Sequence, residues 1–250
     1  MELQTIVERY AEAIVLVDDA VTSSGANART GEVYLPGFLS MNEEPAVAAI
    51  DYEWEMLYPG ERQAHRMGIR YPGLPGSAKC DHVLTTDGLS PAEDEWGIEV
   101  KRLQFFGNNG KRNDFSTTKV LSPYLKDRGL IHDALRLRDH GFTRRVAVLG
   151  YSFDYDSATL AESEKRHTTA AARAVIGEIR EVIKGGGALR TRSLIDFADA
   201  ILGLRGMTTG PRAQAEFEAW RHPAGGRGVV FGWEVRRPQL EPDYDPRHPW

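Results

Sequence analysis

Glu99 and Lys101 stand two residues apart in the run Trp96-Gly97-Ile98-Glu99-Val100-Lys101. Strand side chains alternate, so Glu99 and Lys101 project from one face while Ile98 and Val100 project from the other. A carboxylate and an ammonium therefore stand side by side. A second carboxylate, Asp81, precedes Glu99 by 18 residues in Lys79-Cys80-Asp81-His82-Val83-Leu84, and an antiparallel meander brings it beside Glu99. Two carboxylates and a lysine suit phosphodiester hydrolysis. Mg²⁺ prefers hard oxygen ligands and keeps several waters, so the two acids and a backbone carbonyl such as that of Val100 suffice, with substrate phosphate filling another position. The metal stabilises charge on the phosphate and lowers the pKa of a bound water. Lys101 orients or deprotonates that water, or offsets transition-state charge.

With seven lysines and 36 acidic residues in the chain, roughly one acid-x-lysine triplet arises by chance, so its meaning depends on the elements that carry it. Apolar residues at helical spacing predict a helix over Leu3–Val21, ended by the small and polar stretch Ser23–Gly31. A second helix is expected from Ser40, with Glu43 completing a capping box, to Leu57, before Pro59 and Gly60. Three extended segments follow, Ala64–Tyr71, Ala78–Thr86 and Trp96–Phe106, parted by Pro72–Gly76 and by the Asp87-Gly88 to Pro91 stretch. Their close spacing predicts an antiparallel meander. After a polar connection, Gly107–Gly129, comes a helix over Ile131–His140 closed by Gly141, then a strand over Arg145–Phe153. A strand reached through a helical crossover lies parallel to its neighbour.

Beyond this, a long helix over Thr159–Lys184 is predicted, begun by a Thr159/Glu162 capping box and stopped at Gly185-Gly186-Gly187. Shorter helices are expected over Leu194–Leu204 and Ala213–Trp220, a strand over Gly228–Arg236, and a tail from Pro238. The expected class is α/β. Three parts are expected: 1–39, an N-terminal helix and loop; 40–157, the core that carries the acids and lysine; and 158–250, a mostly helical extension with a late strand, packed on the core.

The 250 residues, 41% hydrophobic and 27% charged, suffice for a sizeable core. No apolar run approaches the ~18 residues of a membrane span. Cys80, the single cysteine, excludes an intrachain disulfide and a cysteine-rich zinc site, and fits a reducing, cytoplasmic setting. No histidines pair at His-x₃-His spacing, and strand alternation turns His82 away from Asp81, into a structural role. The formal net charge is −5, yet Lys101–Arg145 holds eleven basic residues against four acids. Gly107–Arg112 is two residues too short for a nucleotide phosphate loop. Lys111 and Arg112 in that loop, and Lys126 and Arg128 beside Tyr124, are the expected contacts to a nucleic-acid backbone.

Through Asp81, Glu99-Val100-Lys101 and the element order, Ser40–Phe153 resembles the PD-(D/E)XK nuclease superfamily, which contains type II restriction endonucleases and Holliday-junction resolvases. The resemblance implies a restriction-endonuclease-like core, Mg²⁺ dependence and cleavage of DNA phosphodiesters. Carried over by position, Asp81 and Glu99 become metal ligands, Lys101 the catalytic lysine, and Gln104 the glutamine of some branches. Gln104 needs a bulge or strand end to reach Lys101's face. Cys80 stands where the family has proline. For the helical glutamate many members contribute, Glu43, Glu44, Glu53 and Glu55 compete, with Glu44 the preferred third ligand. The expected protein is a Mg²⁺-dependent endonuclease acting on double-stranded DNA, of restriction or phage-defence type, with a homodimer supplying two active sites. The alternative is a non-catalytic nucleic-acid- or protein-binding module on the same fold.

Overall fold

In the computed structural model the described residues are all except 23–24, 27–30, 32, 62, 75–77, 86–94, 114–118, 123, 125–126 and 237–250. Lys126, the expected turn at Asp87-Gly88 and the C-terminal tail therefore lie outside the described residues. A first helix, α1 (Leu3–Ala20), is followed by a 3₁₀ turn at Phe38–Ser40 and by α2 (Glu43–Leu57). Three strands come next, β1 (Gln63–Arg70), β2 (Lys79–Thr85) and β3 (Trp96–Arg102). The helix α3 (Leu130–His140) leads to β4 (Arg145–Phe153), then α4 (Ser157–Arg166), α5 (Ala170–Gly186), α6 (Thr191–Leu204), β5 (Ala213–Ala219) and β6 (Gly226–Glu234).

The strands form one mixed sheet in the order β1-β2-β3-β4-β6-β5. β1, β2 and β3 are an antiparallel meander, and β4 runs parallel to β3 in a register from Trp96↔Arg145 to Arg102↔Tyr151. The crossover helix α3 permits that parallel pairing. β6 and β5 continue the sheet antiparallel on the far side of β4, so strands from the C-terminal third complete the same sheet as the meander.

Two hydrophobic layers cover the sheet. On one face Ile6, Tyr10 and Ile14 of α1 and Ile50 and Trp54 of α2 pack with Ile98 and Val100 of β3 and with Leu149 and Tyr151 of β4. On the other, Ile131, Ala134 and Leu135 of α3 and Leu194, Ile195 and Ala198 of α6 pack with Cys80, Val83, Val146, Val148 and Trp233. Residues of both periods are thus explained by burial: 3.6 in the helices and 2 in the strands. No helix among the described residues is long and apolar enough to cross a membrane.

Three expectations are corrected. Ala213–Trp220 was expected as a helix, but Ala213–Ala219 is strand β5. Its buried Ala213, Phe217 and Ala219 alternate with exposed Gln214, Glu216 and Glu218, and pairing with β6 overrides the helix propensity of Ala and Glu. The long helix over Thr159–Lys184 is two helices. Asp156 caps the first by accepting from Thr159 N at 2.8 Å, and Thr169 caps the second by accepting from Ala172 N at 3.2 Å. Finally, Ser40 sits in the 3₁₀ turn with its hydroxyl on the Gly37 carbonyl at 2.7 Å, while α2 begins at Glu43 behind Asn42. Glu43 is consequently freed from the expected capping box for another contact.

Candidate active site

The site forms where β2 and β3 stop pairing. Their register ends at His82↔Ile98, and beyond it the Asp81 carboxylate takes the place of a backbone acceptor, with Val100 N–H donating to Oδ2 at 2.8 Å. A twist in the β1–β2 ribbon sets this geometry. Met67 pairs with His82 and Ile69 with Cys80, yet Met67 joins one core and Ile69 the other, although residues two apart in a regular strand share a face. Gly68 between them has φ +59°, a conformation that costs glycine little and makes the rotation possible. Asp81, opposite Gly68, is swung toward β3. His82 lies beside the Tyr10 ring, with Asp51 at 3.7 Å, and Cys80 lies in the other core.

Glu99 is 1% exposed. Its Oε1 accepts from the Tyr71 hydroxyl at 2.5 Å and from Arg136 Nη2 at 2.6 Å. Asp81 lies close enough to Glu99 for the two acids to bear on each other's titration. Burial, then the charges of Asp81 and Asp133, push the Glu99 pKa well above the ordinary glutamate range despite Arg136. Burial also raises Asp81, against the opposing pull of the Val100 N–H and Lys101.

Lys101 extends from the same face of β3 as Glu99. Its ammonium lies 3.0 Å from Asp133 Oδ2 and 3.4 Å from Glu43 Oε1. Burial opposes its charge, but Asp133, Glu43 and Asp81 outweigh burial and raise its pKa, so Lys101 is a firmly held cation. Asp133 also receives Arg136 at 2.9 Å and His132 at 3.2 Å; burial works to raise its pKa, but His132, Lys101 and Arg136 together bring it below the ordinary range. The result is a chain of charges, Glu99–Arg136–Asp133–Lys101–Glu43, joining β3, α3 and α2.

The structure thus brings together Asp81, Glu99 and Lys101. Of the helical glutamates, Glu43 contacts Lys101 and, at 3.4 Å, the backbone N–H of Arg102. Glu44 lines the adjoining cleft of about 430 Å³ with Glu43, Gly68, Lys79 and Asp81. Gln104 is buried two residues past the end of β3, after Leu103 has continued the Glu99/Lys101 alternation into the α3-side core. Lys111 and Arg112 are exposed on a tight loop, closed by Gly107 N–H to Lys111 O at 2.9 Å and a bridge between Phe106 and Arg112. Arg128 is exposed just before α3, and Tyr124 nearby in the sequence is 66% exposed.

Sequence reasoning missed Tyr71, Asp133 and Arg136. A weak signal existed for the latter two: an acid and an arginine at i, i+3 on the crossover helix that follows the Glu-x-Lys strand.

A hard divalent cation fits the acid pair. One oxygen of each carboxylate is already oriented by a donor, Asp81 Oδ2 by the Val100 N–H and Glu99 Oε1 by the Tyr71 hydroxyl, which leaves the other oxygen of each for a metal. No set of three or more His, Cys, Asp or Glu side chains among the described residues is arranged around one metal position, so a metal held here would take two carboxylates and depend on water for its other ligands. Compared with known families, curated proteins and solved structures, the chain has no match in any of the three.

Proposed function

We propose that the protein is a Mg²⁺-dependent endonuclease with a restriction-endonuclease-like core, hydrolysing DNA phosphodiesters at Asp81, Glu99 and Lys101. The observation that carries this reading is the Asp81 carboxylate held on the Val100 N–H at the parting of β2 and β3, between the buried Glu99 and Lys101 on the one face of β3. The order of helix, antiparallel meander, crossover helix and parallel strand supports it.

In this reading Asp81 and Glu99 hold the metal, which when bound supplies charge stabilisation to the phosphate and a more acidic water. The Val100 N–H and the Tyr71 hydroxyl fix the rotamers of the two acids, so their geometry is set before substrate arrives. Lys101, kept protonated by Asp133 and Glu43, acts as a cation that orients the attacking water and offsets charge on the phosphate. It does not serve as the base. Lys111, Arg112 and Arg128, exposed on loops after β3 and before α3, contact the DNA backbone.

The test is plasmid nicking with and without Mg²⁺. The wild-type protein is expected to relax supercoiled DNA only with the metal, and Asp81→Asn and Lys101→Ala each to reduce the rate roughly a thousandfold. Cleavage that persists in both variants, or none on duplex, single-stranded and branched DNA, overturns the reading. One observation favours a second reading, a nucleic-acid-binding module without catalysis: Glu99 is buried and already paired with Arg136. That reading requires salt-sensitive DNA binding with no cleavage under any of these conditions.

A further inference from the structure

We infer that Arg136 sets the metal affinity of the site by standing as an internal counter-cation on Glu99, which an incoming divalent ion must displace; this rests on the nuclease reading.

The argument begins with charge. Asp81, Glu99, Asp133 and Glu43 meet two cations within the chain of ion pairs, Lys101 and Arg136. Arg102 turns its guanidinium to the Met41 carbonyl at 2.5 Å. Four carboxylates against two cations leave a net negative charge that an added cation offsets. Lys101 is committed to Asp133 and Glu43, and Arg136 is the cation that touches Glu99.

Geometry supplies the second step. Arg136 reaches Glu99 from α3 with one atom: Nη2 bridges Glu99 Oε1 at 2.6 Å and Asp133 Oδ1 at 2.9 Å. The paired two-bond fork that makes arginine–carboxylate contacts strong is therefore not used on Glu99. Its Nε is buried with no hydrogen-bond partner among the described residues. The guanidinium stands 5.0 Å from the centre of the Tyr71 ring, and the side chain retains 17% exposure. Arg136 is thus a single-point, incompletely satisfied partner with a route outward, whereas the Tyr71 hydroxyl can keep Glu99 oriented after the guanidinium leaves. A divalent ion next to Glu99 is repelled by a guanidinium left in place, and the repulsion is screened less in a partly desolvated site than in water.

The experiment titrates Ca²⁺ alone, without DNA, into the wild-type protein, Arg136→Gln and Arg136→Lys by calorimetry at pH 8. Near-UV circular dichroism checks the fold. Arg136→Gln is expected to bind Ca²⁺ roughly tenfold more tightly than wild type or better. Arg136→Lys, which keeps the charge, is expected to stay within about threefold of wild type. If Arg136→Gln lacks native near-UV signal without metal, Ca²⁺ must restore it, because a cation at Glu99 is then required for folding. A folded Arg136→Gln with unchanged or weaker Ca²⁺ affinity overturns the inference and leaves the nuclease reading intact, as does an unfolded variant that Ca²⁺ does not rescue. Absence of Ca²⁺ binding in wild type and both variants overturns both.

Discussion

The parallel pair β3–β4 carries an arginine–carboxylate cluster at each end, and the two behave in opposite ways. At its start, Arg145 binds Glu234 at 2.7 Å and Glu2 at 3.3 Å while its guanidinium lies 4.0 Å from the centre of the Trp96 ring. The N-terminal ammonium joins the cluster through Glu95 at 3.1 Å. Water reaches these acids: Glu2 is 78% and Glu234 30% exposed at the side chain. Hydrogen bonding to Arg145, followed by its charge, lowers the pKa of Glu2. At the other end Arg136 binds Glu99 just as closely, yet the Glu99 pKa rises because desolvation outweighs the arginine. The first cluster is a clasp that ties the N-terminus and β6 to the sheet. The second holds acids in a state that a further positive charge relieves.

The largest expected effect separates the two ends by activity and stability together. Glu99→Gln should lose roughly a thousandfold in Mg²⁺-dependent nicking while leaving metal-free stability within about 1 kcal/mol, because the amide oxygen can accept from the Tyr71 hydroxyl and Arg136 as Oε1 does. Arg145→Gln should do the reverse, losing about 1–2 kcal/mol in urea unfolding through the ion pairs and the Trp96 contact, with nicking within about twofold of wild type. Equal losses of activity in both variants would remove the distinction between clasp and site.

A smaller effect lies in the pH dependence of stability. Glu99 and Asp81 are raised in the folded state, so between their ordinary values, 4.5 and 3.8, and their folded values the native protein binds more protons than the unfolded chain. Stability therefore falls as pH rises through that window and is regained on acidification toward the ordinary values. Glu2 and Asp133, lowered in the folded state, contribute stability above their ordinary values and lose it only at still lower pH. Urea midpoints of the metal-free protein should accordingly rise as pH is lowered from 8 toward 5, and Glu99→Gln should flatten that slope. A slope unchanged by Glu99→Gln would place its origin elsewhere in the molecule.

How much of this was legible in the sequence follows from the range of each interaction. Alternation around Val100 placed Glu99 and Lys101 on one face, and turn residues separated the strands of the meander, because both are local properties of the backbone. The parallel β4 followed from a helical crossover. The partners of these groups did not follow. Arg136 meets Glu99 across 37 residues and Glu43 meets Lys101 across 58, and only the docking of α3 and α2 on the sheet brings them together. Glu43 was also claimed by a plausible local pattern, the capping box with Ser40, which lost to a tertiary ion pair. In β5 the alternation was present, but alanine and glutamate favour helix in isolation, and the pairing with β6 that decides the matter is invisible in a single segment.

The smallest expected effect tests whether the approach to α3 belongs to the site or merely supports it. Arg128 has φ +51°, a left-handed conformation costing a residue with a Cβ about 1 kcal/mol. The following Gly129 is pressed so closely against the 119–120 backbone that a Cβ there would lie 2.2 Å from the Val120 carbonyl oxygen, which fixes the turn. The strain is therefore imposed by packing, while the side chain itself is exposed. Arg128→Gly should raise stability by about 0.5–1 kcal/mol and, if the arginine meets DNA phosphate, weaken binding a few-fold and lessen its salt dependence by about one charge. Arg128→Ala keeps the strain while removing the charge, so it should reproduce the binding loss without the gain in stability. Loss of binding in both with stabilisation only in the glycine variant makes the residue a DNA contact held in place at a conformational cost. Stabilisation by glycine with DNA binding unaltered in either variant instead places this turn with the Arg145 clasp, as architecture that supports α3 and takes no part in binding.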